Sequence, residues 1–349
     1  MTRAYSISVD DVSGERARVN EDLDQVDISR IIKLDELELA EVGLRDVRLK
    51  ILAASGEHNV DHAALADTVN IAELRGGKIY PGNSALGEVT EVGAEVTKFK
   101  TGDIVITHCN GGLDCGLNLW EIAALPLRAP TAYHLWRRAE GIYRVKVPAE
   151  RQSTLNVMGF GGGVSELFLM LARAKGHNAF FCSGSPERRK ALEAHGIVPI
   201  DQMAFNRFAS RDDSKAFVKE VRGLTDGEGM HIICDMLRGP VFAAGFAATA
   251  RQGVIVSAGW QLARSVDYNS AAASIKQLTL DHTHFETLYG VEAATELYGS
   301  VFKPTIHKEI YAFEDLPRAM MEMHEATQTG IPIIRIAKEM PESVASLIP

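Results

Sequence analysis

A run of glycines set between two apolar segments constrains this chain more than any other feature. From Thr154 to Arg189 it reads TLNVMGFGGGVSELFLMLARAKGHNAFFCSGSPERR. Leu155 to Met158 is a short apolar run and predicts a buried strand. Gly159, Gly161, Gly162 and Gly163 follow. Ser165 to Ala174 then carries Leu167, Leu171 and Ala174 on one helical face, with Phe168 and Met170 close by. Gly176 ends that helix, and Ala179 to Cys182 begins a second apolar strand. Strand, glycine turn, helix, strand is the unit that sets a dinucleotide pyrophosphate on a helix N-terminus. A side chain at the turn would hold the backbone N–H groups away from the phosphates. Gly159, Gly161, Gly162, Gly163 and Val164 are therefore candidate cofactor contacts. The bland reading is a glycine-rich turn that binds nothing. The last glycine of the usual fingerprint falls at Ser165, a small replacement.

The end of the second strand bears on which dinucleotide is bound. An NAD site usually places Asp or Glu there for the ribose 2′-hydroxyl. This chain has Cys182-Ser183-Gly184-Ser185, then Pro186-Glu187-Arg188-Arg189. Arginine suits a 2′-phosphate by charge and fork geometry. The expectation is NADPH, with Ser183, Ser185, Arg188 and Arg189 among its contacts. The alternative is that both arginines are a solvated first helical turn.

Composition narrows the class. The 349 residues suggest two domains. A net charge of −9, with no basic stripe, argues against a nucleic-acid partner. No apolar run approaches a membrane span, and the polar start MTRAYSISVDDVSGERARVNED lacks a signal-peptide core. Cys109, Cys115, Cys182 and Cys234 show no regular spacing and read as reduced thiols, so a cytoplasmic protein is expected.

In chain order, Tyr5 to Val9 is a possible opening strand, Asp35 to Glu41 an acidic loop, and Asp46 to Ala53 an alternating strand. A polar loop at Ala54 to His62 follows it. Pro81 to Val105 reads as short antiparallel strands joined at Gly87, Gly93 and Gly102. Its Gly87-Glu88-Val89, Glu91-Val92-Gly93 and Phe99-Lys100-Thr101-Gly102-Asp103-Ile104-Val105 resemble the GroES-like barrel of the medium-chain dehydrogenase/reductase superfamily. His231 to Asp235 and Gly253 to Gly259 read as parallel strands. Val241 to Ala250 and Asn269 to Lys276 read as helices, Phe313 to Met323 as an amphipathic helix, and Ile331 to Ile336 as the last strand. The resemblance implies an α/β architecture: a GroES-like β-barrel catalytic domain over 1–128 and 290–349, and a Rossmann doubly wound parallel-sheet cofactor domain over 129–289.

Zinc members of that superfamily carry Cys and a His-Glu pair where this chain has Ser55 and Asn83-Ser84. A catalytic zinc needs three protein ligands, and His58, His62 and His108 are scattered over loops. No metal is expected. Ile104 to Cys109, Trp120 to Tyr133, Val157 to Val164 and Ser274 to His282 further resemble crotonyl-CoA carboxylase/reductases, a zinc-free branch. The chain passes almost directly from Cys109 to Trp120, where that family holds a Phe-Glu pair used to position carbon dioxide.

The resemblance implies NADPH-dependent reduction of the C=C bond of an α,β-unsaturated acyl thioester, on CoA or a carrier protein, without carboxylation. It implies a homodimer or homotetramer, with the strand Val254 to Ser257 and the segment Asn269 to His282 at the interface. It matches His282 to a histidine near the nicotinamide and Asn59 to an asparagine, both of which that family uses with the Phe-Glu pair to position carbon dioxide; as an amide, Asn59 could also bond the thioester carbonyl or a developing enolate. His58 stands where relatives carry Tyr. His282 sits beside Asp281, a carboxylate expected to raise its pKa and suit it to proton donation. Thr131, Asp235, Ala258, Gly259 and Trp260 complete the candidate cofactor set. The alternatives are a quinone or enone oxidoreductase of the same superfamily, and a cofactor-binding accessory protein without turnover.

Overall fold

The computed structural model describes residues 2–57, 65, 76–82, 84–107, 115–259, 261–263, 265–283 and 288–349. They divide into two compact units, Met1–Leu127 with Ile306–Pro349, and Arg128–Thr305. The chain returns to the first unit at Ile306, where the sequence suggested 290.

The first unit holds two sheets among its described residues. In one, β1 (Thr2–Ser8) lies between β2 (Ile32–Leu37) and β4 (Lys78–Ile79), antiparallel to both. In the other the order is β13 (Ile306–Ala312), β14 (Ile331–Arg335), β3 (Val47–Ser55), β5 (Ala85–Val92) and β6 (Ile104–Ile106). Only β13 and β14 run parallel there.

The N-terminal segment is more ordered than its polarity suggests. Ser8 caps helix α1 (Val9–Arg18) by accepting from the Asp11 N–H at 3.1 Å. Ile7 and Val12 pack with Val26 and with Ile28 and Ile31 of the short helix α2 (Ile28–Ile31). Glu15 is buried within this cluster. It accepts from Arg18 and the Asp27 N–H, and the Arg18 hydrogen bonds hold its carboxyl down at about 2. Of the stretch expected as a loop, Asp35 to Glu41, the later residues lie outside regular structure as expected and the first three end β2. The pairing of Tyr5 with Leu34 fixes its register, and Lys78 neutralises Asp35 at 2.8 Å.

The first unit also contains α3 (Leu119–Ala123), and the second opens on α4 (Arg128–Lys146). A six-stranded, all-parallel sheet follows, ordered β12 (Thr279–His282), β11 (Thr249–Ser257), β10 (Met230–Asp235), β7 (Asn156–Phe160), β8 (Asn178–Ser183) and β9 (Val198–Asp201). Chain direction across the sheet reverses between β7 and β10, the switch point at which such sheets hold ligands. The connecting helices are α5 (Gly163–Ala174), α6 (Pro186–Glu193), α7 (Arg211–Leu224), α8 (Pro240–Ala248) and α9 (Ser270–Lys276), with α10 (Leu288–Thr295) after β12.

Every residue of β7 and β10 is buried, as expected of strands covered on both faces. Phe160, Phe180, Phe208, Phe217 and Ile233 form the core on one side. Each such side chain contributes roughly 1.5–3 kcal/mol by leaving water. On α5, Leu167, Phe168 and Leu171 are buried, and Trp136 of α4 meets Phe168 edge-on at 5.4 Å. β11 lies between two other strands, so Val254 to Ser257 offers no open edge; the edge strands are β12 and, at the far side, β9. In the first unit, a 3-10 turn at Phe313–Asp315 leads into α11 (Leu316–His324). Among the described residues no helix is long and apolar enough to cross a membrane.

Candidate cofactor site at the carboxyl edge of the parallel sheet

The glycine turn lies at the switch point, between the end of β7 and the start of α5. Gly161 has φ +108°, a conformation that L side chains rarely adopt, and a Cβ there would lie 3.0 Å from the Met236 side chain. Gly162 is the N-cap of α5 and no side chain caps the helix. The N–H groups of the first turn, from Gly163 and Val164 on, therefore lack a side-chain acceptor, and the helix dipole favours an anion there. Gly159 packs against Leu169 and Ser165. Ser165 replaces the closing glycine without displacing helix from strand. Its fully buried hydroxyl donates to the Phe160 carbonyl at 2.6 Å, beside Cys234.

The two arginines that look alike in sequence do different things. Arg189 donates to the Ser183 carbonyl at 2.6 Å and to Asp201 at 2.8 Å, tying the tip of β8 to the end of β9. Arg188 turns back to Glu166 in α5. Its Nε and Nη2 lie 3.0 and 2.7 Å from Glu166 Oε1. Neither is the solvated helical turn of the bland reading. Ser183 Oγ accepts from the Ser185 N–H, and Ser185 caps α6 by accepting from the Arg188 N–H. Glu166 and the direction of Arg188 escaped the sequence reading. The available signal was a lone carboxylate opening an otherwise apolar helix.

On the other side of the switch point, Asp235 ends β10. It is buried and its Oδ1 accepts from the N–H groups of Leu237 and Arg238, both at 2.9 Å, so it organises the turn after the strand. Burial pushes its carboxyl above the usual range. Arg238, in the left-handed region at φ +63°, reaches His282 Nδ1 at 3.3 Å. Ala258 and Gly259 follow β11. A Cβ on Gly259 would fall 2.3 Å from the Met236 carbonyl, so only glycine allows these two loops to touch. Thr131 is buried in the first turn of α4.

His282 ends β12 at the same edge, but its electrostatics reverse the expectation. Its pKa is lowered, first by desolvation of the ring and then by Arg238, which outweigh Asp281 and Asp235. Asp281 is held in a bidentate pair with Arg138, both bonds 2.6 Å, so its charge is largely answered there. Burial pushes the Cys234 thiol up to about 12 and raises that of Cys182, so neither is a nucleophile.

His58, Asn59 and Trp260 lie outside the described residues. In the first unit, Ser55 and Ser84, two of the residues matched to zinc ligands, meet Glu57 in a buried hydrogen-bond cluster, while Asn83, His58, His62 and His108 lie outside the described residues. Ser55 and Ser84 each donate to Glu57 Oε1 at 2.9 Å, with their hydroxyls 3.1 Å apart. Two hydroxyls and a carboxylate already engaged by both do not make a catalytic zinc ligand set. No cluster of three His, Cys, Asp or Glu suited to a metal occurs among the described residues.

Residues 163–298 match the zinc-binding dehydrogenase family model, a domain of the medium-chain dehydrogenase/reductase superfamily. That match covers the parallel-sheet side of the chain and not Ser55, Glu57 or Ser84. The chain is 26% identical over 277 residues to the highly reducing polyketide synthase phiA of Fungal sp. (strain ATCC 74256), covering 70% of this chain and 10% of the synthase. It is 25% identical over 332 residues to the phthioceranic/hydroxyphthioceranic acid synthase of Mycobacterium tuberculosis (strain ATCC 25618 / H37Rv), covering 84% of this chain and 14% of that protein. The chain thus spans about a tenth of the length of the first curated relatives it matches. Its fold is similar to the 2-octenoyl-CoA carboxylase reductase CinF in complex with NADP and 2-octenoyl-CoA, with TM-score 0.77 and 18% identity, covering 99% of this chain and 90% of that one. The family match is confined to residues 163–298, and the likeness to the carboxylase reductase is one of fold.

Proposed function

We propose that this chain is an NADPH-dependent, zinc-independent reductase of the C=C bond of α,β-unsaturated acyl thioesters, on CoA or a carrier protein, and that it does not carboxylate. The observation that carries the reading is the uncapped N-terminus of α5 at the sheet's switch point, with a guanidinium held beside it. The solved relative bound to NADP and 2-octenoyl-CoA supports the cofactor and substrate class. NADPH is favoured over NADH because no carboxylate ends β8 to meet a 2′-phosphate with repulsion.

When bound, the nicotinamide cofactor supplies hydride. The chain's own part is to receive the pyrophosphate on the N–H groups of the turn and to line the cofactor with Thr131, Ser183, Ser185, Asp235, Ala258, Gly259 and Trp260. Asn59 and His58 are the candidate donors to the thioester carbonyl. His282 is the candidate proton donor. With its pKa lowered it is neutral at neutral pH, so donation from the imidazolium strengthens as pH falls. The Phe-Glu pair of the carboxylating branch has no counterpart between Cys109 and Trp120. A homodimer or homotetramer joined along β12 goes with this reading.

The test mixes protein, NADPH and a panel of enoyl-CoA and enoyl-pantetheine thioesters and follows loss of the reduced cofactor's absorbance. Turnover of thioesters without uptake of labelled bicarbonate is expected. Turnover of quinones alone would replace this reading with a quinone reductase. Tight NADPH binding with no turnover of either class would replace it with an accessory cofactor-binding protein.

A further inference from the structure

Glu166 stands in the first turns of the helix that opens the glycine turn, a place where a carboxylate opposes the binding of phosphate. Only 1% of the residue is exposed. Its Oε1 takes both bonds from Arg188, and its Oε2 has no hydrogen-bond partner. A buried carboxylate in that state is costly unless the cation beside it is held firmly, so the pair is a built feature. The guanidinium it holds lies against the turn: a Cβ on Gly162 would be 3.1 Å from Nη2 and 3.8 Å from Nη1 of Arg188. Nε and Nη2 face Glu166, which leaves N–H groups of the fork for an anion on the turn. Arg189, one residue on, is directed away, to the Ser183 carbonyl and Asp201.

Resting on the dinucleotide reading above, we propose that Glu166 is a positioning residue. It fixes Arg188 over the glycine turn, where Arg188 recognises the pyrophosphate common to NADPH and NADH and not the 2′-phosphate that separates them. The negative charge of Glu166 then serves as the counter-anchor of the arginine, and the fork bridges the internal carboxylate and the incoming phosphate.

The experiment is calorimetric titration of the full chain with NADPH and with NADH, for the native protein, Arg188→Ala, Glu166→Gln and the double variant. Arg188→Ala is expected to weaken both dinucleotides by about tenfold and by the same factor. Glu166→Gln is expected to weaken both several-fold when Arg188 is present, and to change nothing further in the Arg188→Ala background. Arg188→Lys keeps the charge without the fork and is expected to recover only part of the affinity. Loss of NADPH affinity alone on Arg188→Ala would overturn the inference, as would a Glu166→Gln effect that persists without Arg188. Should Glu166→Gln fail to fold, the equality of the two factors for Arg188→Ala decides. A native protein that binds neither dinucleotide overturns the dinucleotide reading and this inference with it, whereas binding with the wrong variant pattern overturns the inference alone.

Discussion

The glycine turn of the parallel-sheet unit and the Ser55–Glu57–Ser84 cluster of the other unit both depart from the family pattern, and they do so in opposite ways. At the turn, one glycine has become Ser165, yet the geometry stands because the new hydroxyl answers the Phe160 carbonyl. In the cluster, two of the residues matched to metal ligands, Ser55 and Ser84, are hydroxyls that both donate to Glu57 Oε1. A site made of backbone N–H groups and a helix terminus survives a side-chain change that leaves the backbone alone. A site made of ligand atoms does not, because its chemistry resides in the atoms replaced.

The sharpest way to break that contrast is Gly161→Val. A β-branched residue at φ +108° is strained by about 1–2 kcal/mol and closes the turn against Met236. The expected outcome is loss of detectable dinucleotide binding by calorimetry, with the fold retained by circular dichroism. The next effect is on stability, through His231 in strand β10 of the same sheet. Its Nδ1 accepts the Asn156 N–H at 2.8 Å, and burial lowers its pKa from 6.5 to about 4. The unfolded chain takes up that proton first, so stability is complete above pH 6.5 and falls as pH drops toward 4. The full displacement is worth roughly 3 kcal/mol. Urea denaturation between pH 7 and pH 4 measures it, and His231→Gln should flatten the slope over that window.

Glu57→Ala comes third. It strips Ser55 and Ser84 of their shared acceptor and should cost about 1–3 kcal/mol in denaturant midpoint while leaving NADPH affinity unchanged. A change in affinity would mean the two sites are not separable. The smallest effect belongs to Ser165→Gly. Restoring the family glycine removes a hydrogen bond worth about 1 kcal/mol and adds a flexible residue to a helix. It should lower the melting temperature slightly and leave binding as it was.

Local pattern carried most of the fold into view. Strands β7, β8 and β10 and helix α5 announce themselves because their apolar runs and glycines are contiguous. The N-terminal layer does not, since Ile7, Val12, Val26 and Ile31 are spread over separate short elements among polar residues. The site was readable where it is backbone and opaque where it is charge. Nothing in the dipeptide Arg188-Arg189 tells which points at Glu166, 22 positions back, and which at Asp201, 12 ahead. Asp281 looked like a partner for His282 only because its actual partner, Arg138, stands 143 residues away. The serines of the cluster likewise meet a carboxylate that no spacing rule connects to Ser84.

The buried thiols of the parallel sheet have one more consequence. Cys234 of β10 lies beneath the glycine turn, fully enclosed, and Cys182 sits in β8, on the other side of β7, with 1% exposure. Neither reacts while the sheet is closed, so the pace at which an alkylating reagent labels them is a chemical clock for opening of that unit alone. Any ligand that grips the turn above Cys234 should slow that clock, reporting occupancy of the site without the need for turnover.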